Sequence, residues 1–250
     1  AVAGAAVLGL EVIAARSVAP SLGSGPAAWA SLLAVALGTL ALGNLTGGML
    51  ATRVTPGGII TWSFGIAAGA IVVLAQTCRA AMDWAAEFPL VGGSLLAAAV
   101  TQAVPMFLLG MISPVILAAG HGRSGGGRWS GLVLAAGSGG GIAGALVAGL
   151  VGLPGLGIAR SYLAVAGTLA AVTLPAAAAE RRWLAALAIL GVLVGTITCW
   201  GRAAEPEVVQ SLYGQIEVRA TDEGRVLLMD GLPQTGLPGR IAAWDGLRHG

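Results

Sequence analysis

The sequence predicts an all-α polytopic membrane bundle of about seven transmembrane helices, followed by a short C-terminal β-hairpin segment outside the membrane. Three observations carry this. Apolar runs of about 20 residues, the length that crosses a ~30 Å hydrocarbon core, follow one another through the first part of the chain. Tryptophans fall near the ends of those runs, where indole rings prefer the headgroup level. Beyond residue 205 the composition turns polar and alternating. Residues 1–200 are therefore assigned to the bundle and 201–250 to an extramembrane segment.

Charged or Pro/Gly-rich breaks place the seven spans at residues 1–16, 27–52, 58–77, 88–119, 129–153, 161–179 and 183–200. Trp29, Trp62, Trp129 and Trp183 open spans and Trp200 closes one. The fourth span is interrupted by Pro105 and Pro114, which kink a helix and free carbonyls that can line a cavity. In the tail, Ile216, Val218 and Ala220 alternate with polar residues, Asp222-Glu223-Gly224 makes a turn, and Val226 to Met229 return. So small a segment needs another surface to complete a core.

Composition agrees with this organisation and excludes one class of partner. The chain has 250 residues, 56% hydrophobic and only 10% charged, against roughly 25% charge in ordinary soluble domains. Its 41 glycines lie inside apolar runs, where they allow close helix packing in lipid. Thirteen arginines and no lysine are scattered without a basic patch, so no nucleic acid is expected as a partner. The first run lacks a basic leader and a clear cleavage site, so no removable signal peptide is expected.

Loop arginines set the orientation. With the N-terminus cytoplasmic, Arg53, Arg123, Arg128, Arg181 and Arg182 lie inside and Arg16, Arg79, Arg160 and Arg202 outside. An odd number of spans then puts the tail on the periplasmic side. Cys78 and Cys199 end the third and seventh spans on that same face. Two readings stand for them: a disulfide in an oxidising compartment, or two small buried thiols, the second carrying more weight.

Glu11 is the acidic residue set deepest in a predicted span. An ionised side chain there costs at least ~2.5 kcal/mol unless it is paired, protonated or facing water. Arg16 is five residues on and does not share its helix face. The expected partners are polar groups on other helices: Asn44, Thr101 and Gln102. A structural hydrogen bond between helices is weighed against a role in proton or cation handling. Gly139 to Gly144 formally match G-x-G-x-x-G, but the next acid is Glu180, too distant for a ribose contact. The same glycines read as Gly137-x-x-x-Gly141 and Gly140-x-x-x-Gly144, and Gly43-x-x-x-Gly47 has the same spacing, so helix packing is expected. His121 and His249 fall on opposite faces, and neither a metal set nor a nucleophilic triad can be assembled.

The stretch LEVIAARSVAPSLGS at residues 10–24, followed by a span ending in GGMLATR at 47–53, resembles the membrane part of bacterial spermidine synthase-like proteins. The stretch from Gly122 and Arg123 through Gly137, Gly144 and Gly149 is similar to a later segment of that family. In the tail, SLYGQIEV at 211–218 and LLMDGLPQTG at 227–236 look like the N-terminal β-hairpin of spermidine synthases. The resemblance implies a bacterial inner-membrane protein linked to polyamine biosynthesis: aminopropyl transfer from decarboxylated S-adenosylmethionine, as co-substrate, to a diamine such as putrescine. It places Gln234, with Tyr213 and Asp230 flanking, near the nucleoside substrate. The family's Gly-rich nucleotide loop and acidic residues follow the hairpin and have no counterpart among these 250 residues, so this segment by itself is expected to be inactive and to hold no cofactor. Two alternatives remain: a small-molecule permease or exporter, and an accessory subunit of a larger membrane complex or homo-oligomer joined through small-residue helix faces. The first is suggested by Glu11, the kinked fourth span and a 47–53 loop similar to the G-x-x-x-D-R loop of facilitator transporters, with Thr52 in place of the acid.

Overall fold

In lipid, helices of apolar side chains associate where small residues let their backbones approach. A computed structural model describes residues 1–120, 126–179, 183–202, 208–210, 215–221, 224–229 and 232–238; in the last four segments only the backbone is described. The helices are α1 (Val2–Leu22), α2 (Pro26–Leu50), α3 (Pro56–Ala85), α4 (Leu90–Gly110), α5 (Ile112–Ala119), α6 (Gly126–Val147), α7 (Leu153–Ala179) and α8 (Trp183–Arg202). A wider π-type segment, Ala148–Gly152, joins α6 to α7.

Local chemistry sets several of the ends. Pro26 and Pro56 occupy the first turns of α2 and α3, where a missing N–H is harmless. Gly23 ends α1 at φ 78°, a conformation that side chains with a Cβ rarely adopt. The expected interruption of the fourth span falls at Met111, between α4 and α5, three residues before Pro114. Pro105 lies inside α4. Two expected spans were too short: α1 runs on to Leu22 rather than 16, and α3 to Ala85 rather than 77. Charge ends a stretch suited to hydrocarbon but does not end a helix, and Arg79 and Asp83 ride exposed on the last turns of α3.

Among the described residues, five helical stretches are long and apolar enough to cross a membrane: Val2–Leu22, Pro26–Leu50, Pro56–Ala85, Leu90–Ala119 and Gly127–Pro175; Ala188–Gly201 is a shorter apolar one. They fit a multi-pass protein in a lipid bilayer. A continuous helix over the 49 residues of Gly127–Pro175 would be about 73 Å long, more than twice the hydrocarbon core. Gly157 breaks it with φ 79° and ψ 177°.

Along α2 the inward positions are mostly small and the outward ones large. On α2 the buried positions include Ala28, Ala36, Gly43 and Gly47, while Leu37 is 64% exposed and Leu42, Leu45 and Met49 also face outward. Small residues let backbones approach, which drives helix association where lipid removes the usual hydrophobic gain. A Cβ on Gly43 would strike the Phe107 carbonyl, and one on Gly47 would lie 2.6 Å from the Met111 carbonyl oxygen, so α2 is seated directly on the α4–α5 junction. On α6, Gly140 and Gly144 meet the carbonyls of Ala1 and Ala5, which runs α6 parallel to α1. α8 runs parallel to α3: Gly65 meets Ile189, Gly69 meets Val192 and Val72 meets Gly195. Behind these contacts Leu10, Ile13, Ile71, Met106 and Leu169 form the fully buried centre.

After Arg202 the described backbone consists of strands β1 (Val208–Gln210), β2 (Gln215–Thr221), β3 (Gly224–Met229) and β4 (Leu232–Pro238), paired antiparallel in the order β1-β2-β3-β4. Between β3 and β4 the register shifts at Leu227/Leu228: Leu227 faces Thr235 and Leu228 faces Pro233, leaving Gln234 as the extra residue of a β-bulge.

Candidate intramembrane site

A hydroxyl in a membrane helix is satisfied most simply by the carbonyl one turn back, and most of this bundle follows that rule. Thr39, Thr173 and Thr196 donate to the carbonyls of Val35, Leu169 and Val192 at 2.7–2.9 Å. Thr101 Oγ1 donates to the Ala97 and Ala98 carbonyls at 2.8 and 3.2 Å. Against that background three side chains stand apart, one of them on α1 and two on α4.

Gln102 is 0% exposed, and neither Oε1 nor Nε2 has a hydrogen-bond partner among the described residues. Ser94 Oγ, buried on the same helix, also lacks one. A buried, unpaired polar group costs roughly 1–3 kcal/mol, so such groups are few and need a reason. Three residues after Gln102, Pro105 has no N–H to offer the Thr101 carbonyl. Glu11 is half-buried on α1 and makes no hydrogen bond or ion pair among the described residues.

The expected bonds from Glu11 are not made. Asn44 lies exposed on α2, the Thr101 hydroxyl is spent on its own helix, and the Gln102 amide is unpaired. Glu11 and Gln102 nonetheless stand at similar depths. The tight turns after α1, α2 and α3 make α4 antiparallel to α1, on which it packs, and Leu22 Cδ2 lies 3.3 Å from where a Gly93 Cβ would stand. At 1.5 Å per residue, Glu11 is about 16 Å along α1 from Leu22, and Gln102 about 13 Å along α4 from Gly93. The two orphaned polar groups therefore share one level, in the middle of the bundle.

A second polar contact escaped the sequence reading. Tyr162, fully buried on α7, lies 3.2 Å from Ser17 Oγ on α1, and Ser17 Oγ is 2.8 Å from the Ile13 carbonyl. The serine proton goes to that carbonyl, so the Tyr162 hydroxyl donates to Ser17 and ties α7 to α1. A hydroxyl pair of this kind has no sequence spacing to betray it; the one signal was a tyrosine inside an apolar run.

Between α1, α6 and α7 lies a cavity of about 350 Å³ lined by Gly9, Ile13, Gly144, Ala148 and Leu169, with Ser161 and Thr168 at its wall. Both hydroxyls are tied back, to the Gly157 and Ala164 carbonyls at 2.6 and 2.8 Å, so the cavity offers apolar surface only. Cys78 is buried and Cys199 half-buried, and both stand as thiols rather than as a joined pair. The six residues from Gly139 to Gly144 lie within α6, where Gly140 and Gly144 serve its contact with α1. In the tail, Gln234 sits on β4, while Tyr213, Asp230 and both histidines lie outside the described residues. No group of three or more metal-ligating side chains occurs among the described residues. Comparison with protein-family models, curated proteins and solved structures gives no match.

Proposed function

We propose that this chain is the membrane module, with the opening of the catalytic domain, of a spermidine synthase-like protein. In this reading the helices make seven passes in a bacterial inner membrane: α4 and α5 form one crossing, the break at Gly157 divides the long stretch into two, and α8 is the last. The tail then emerges on the periplasmic side and begins an aminopropyltransferase-type domain with a β-hairpin. The observation that carries the proposal is the position of Gln234. The residue that the resemblance sets beside the nucleoside is the extra residue of a bulge, a device that re-aims one side chain and recurs next to active sites. Tyr213 and Asp230 flank it in the sequence, and decarboxylated S-adenosylmethionine is the implied co-substrate.

Protein purified from its native membrane and supplied with decarboxylated S-adenosylmethionine and putrescine should release methylthioadenosine, and Gln234→Ala should raise the KM for the nucleoside substrate. The 250-residue chain alone should be silent, because aminopropyl transfer needs a base and a nucleotide pocket that it does not carry. Absence of transfer by the native-membrane protein would sink the proposal. A second reading, a small-molecule permease, is favoured by Glu11 and Gln102 at one depth. Uptake into proteoliposomes that disappears in Glu11→Gln would support it.

A further inference from the structure

We infer that the apolar cavity between α1, α6 and α7 is a seat for one acyl chain of a membrane phospholipid. The inference is independent of the synthase reading and rests on the shape, lining and opening of that cavity.

Its shape follows from where the helices meet. α6 and α7 both pack on α1, and they approach one another at the π-type segment, where a Cβ on Gly152 would lie 3.4 Å from Ser161 Oγ. From that corner one wall leads away through Ala148 to Ala143 and the other through Val165 to Leu169, about 12 Å along α7. The floor is one face of α1, and its Ala5, Ala6 and Gly9 are too small to fill the space above them. Three of the five π-type residues, Ala148, Val151 and Gly152, stand in the wall, and such wide turns are frequent at functional sites.

The opening and the lining name the occupant. Val147 and Val151 on one rim are 61% and 66% exposed, and Leu156 and Thr168 on the other rim are exposed as well. The first rim runs on into Leu146 and Leu150, which also face outward, so the cavity is continuous with the lipid-facing surface. Water gains nothing inside, because the Ser161 and Thr168 hydroxyls are spent on the Gly157 and Ala164 carbonyls and a stable buried water needs several polar partners. Left empty, the walls forfeit their dispersion contacts, which a hydrocarbon chain restores. An aliphatic cavity of about 150 Å³ takes up benzene, so about 350 Å³ suits roughly fourteen carbons of a chain. No charged side chain lines the cavity, so the chain is held and the headgroup is not read.

The test is photolabelling of the full chain in phosphatidylcholine liposomes that contain a trace of the same lipid with a diazirine at mid-chain, mapped by peptide mass spectrometry. Insertion at Ala6 or Gly9, both buried beneath the rims, reports a chain in the cavity, and insertion at the exposed Leu37 of α2 reports the surrounding bilayer. Both should appear, to the same extent with a phosphatidylglycerol probe, while Ile71 at the buried centre stays unlabelled. Ala143→Phe fills the cavity from α6 and Ala164→Phe from α7. Each should remove the label at Ala6 and Gly9 and leave Leu37 unchanged, and two variants on separate helices keep the test decisive if one does not fold. In a rigid steroid detergent, dimyristoylphosphatidylcholine should raise the Tm of the delipidated wild-type chain saturably and that of the filled variants less. The proposal is overturned if label stays on outward residues alone, if labelling of Ala6 and Gly9 survives the phenylalanine variants, or if these residues cross-link to a second copy of the chain instead of to lipid.

Discussion

Gly47→Ala adds one methyl group where α2 has no room for it. The new Cβ would stand 2.6 Å from the Met111 carbonyl oxygen and 2.7 Å from Met111 Cα, about 0.8 Å short of ordinary contact. Both obstacles are backbone, so neither can swing away, and α2 must lift from the α4–α5 junction instead. A radial gap of that size forfeits a quarter to a half of each neighbouring contact, each about 0.1–0.2 kcal/mol. Summed over the seam, and added to the strain of overpacking, the expected loss is about 1–3 kcal/mol. Gly38→Ala is the control. It lies on the same helix with nothing within 4 Å of its Cβ position, so the identical chemical change gains helix propensity there, up to about 1 kcal/mol. Unfolding in mixed micelles, followed by far-UV circular dichroism, reads both variants. The reasoning fails if the two substitutions shift stability in the same direction by similar amounts.

Tyr162→Phe and Ser17→Ala should each cost about 0.5–1.5 kcal/mol, with the double variant no worse than the larger single one, because both remove the same hydroxyl contact; additive losses in a double-mutant cycle would show the bond is not shared. In detergent a maleimide should modify Cys199 well before Cys78, and mass spectrometry without reductant should find both thiols, since one is half-buried, the other buried and the two unjoined; a mass two hydrogens lower would restore the disulfide. Leu37→Ala, at an outward position of α2, should change stability by less than about 0.5 kcal/mol in lipid nanodiscs, whereas Leu10→Ala, at the buried centre, should lose about 2–5 kcal/mol.

What could be read without coordinates follows from what each feature depends on. The spans were legible because hydrocarbon thickness imposes a length on any apolar run, and tryptophans mark its ends. Their true extent was not, since α3 continues through the exposed Arg79 and Asp83 to Ala85. The spacing of Gly43 and Gly47, and of Gly140 and Gly144, announced close packing; which neighbour each would meet depends on how the helices are arranged around one another, and no local pattern encodes that. Glu11 and Gln102 were both noticed as polar residues in apolar surroundings. That they share a level, unbonded, required the antiparallel register of α1 and α4. Ser17 and Tyr162 are 145 residues apart and belong to no motif, so their pairing was invisible until the bundle closed.

The parallel seam of α3 and α8 sets the shape of the surface from which the chain departs. With Gly65 beside Ile189 and Val72 beside Gly195, Arg202 at the end of α8 comes level with residue 79 of α3. α3 climbs six residues further, about 9 Å, to Ala85, and Trp84 and Phe88 meet edge to face at its top with ring centroids 5.2 Å apart. The exit of α8 is thus a step beside a taller post, not a flat rim. Arg202 itself ends beside a wall on one side, and an antibody or protease approaching this end of the bundle would meet that post before it reached the exit.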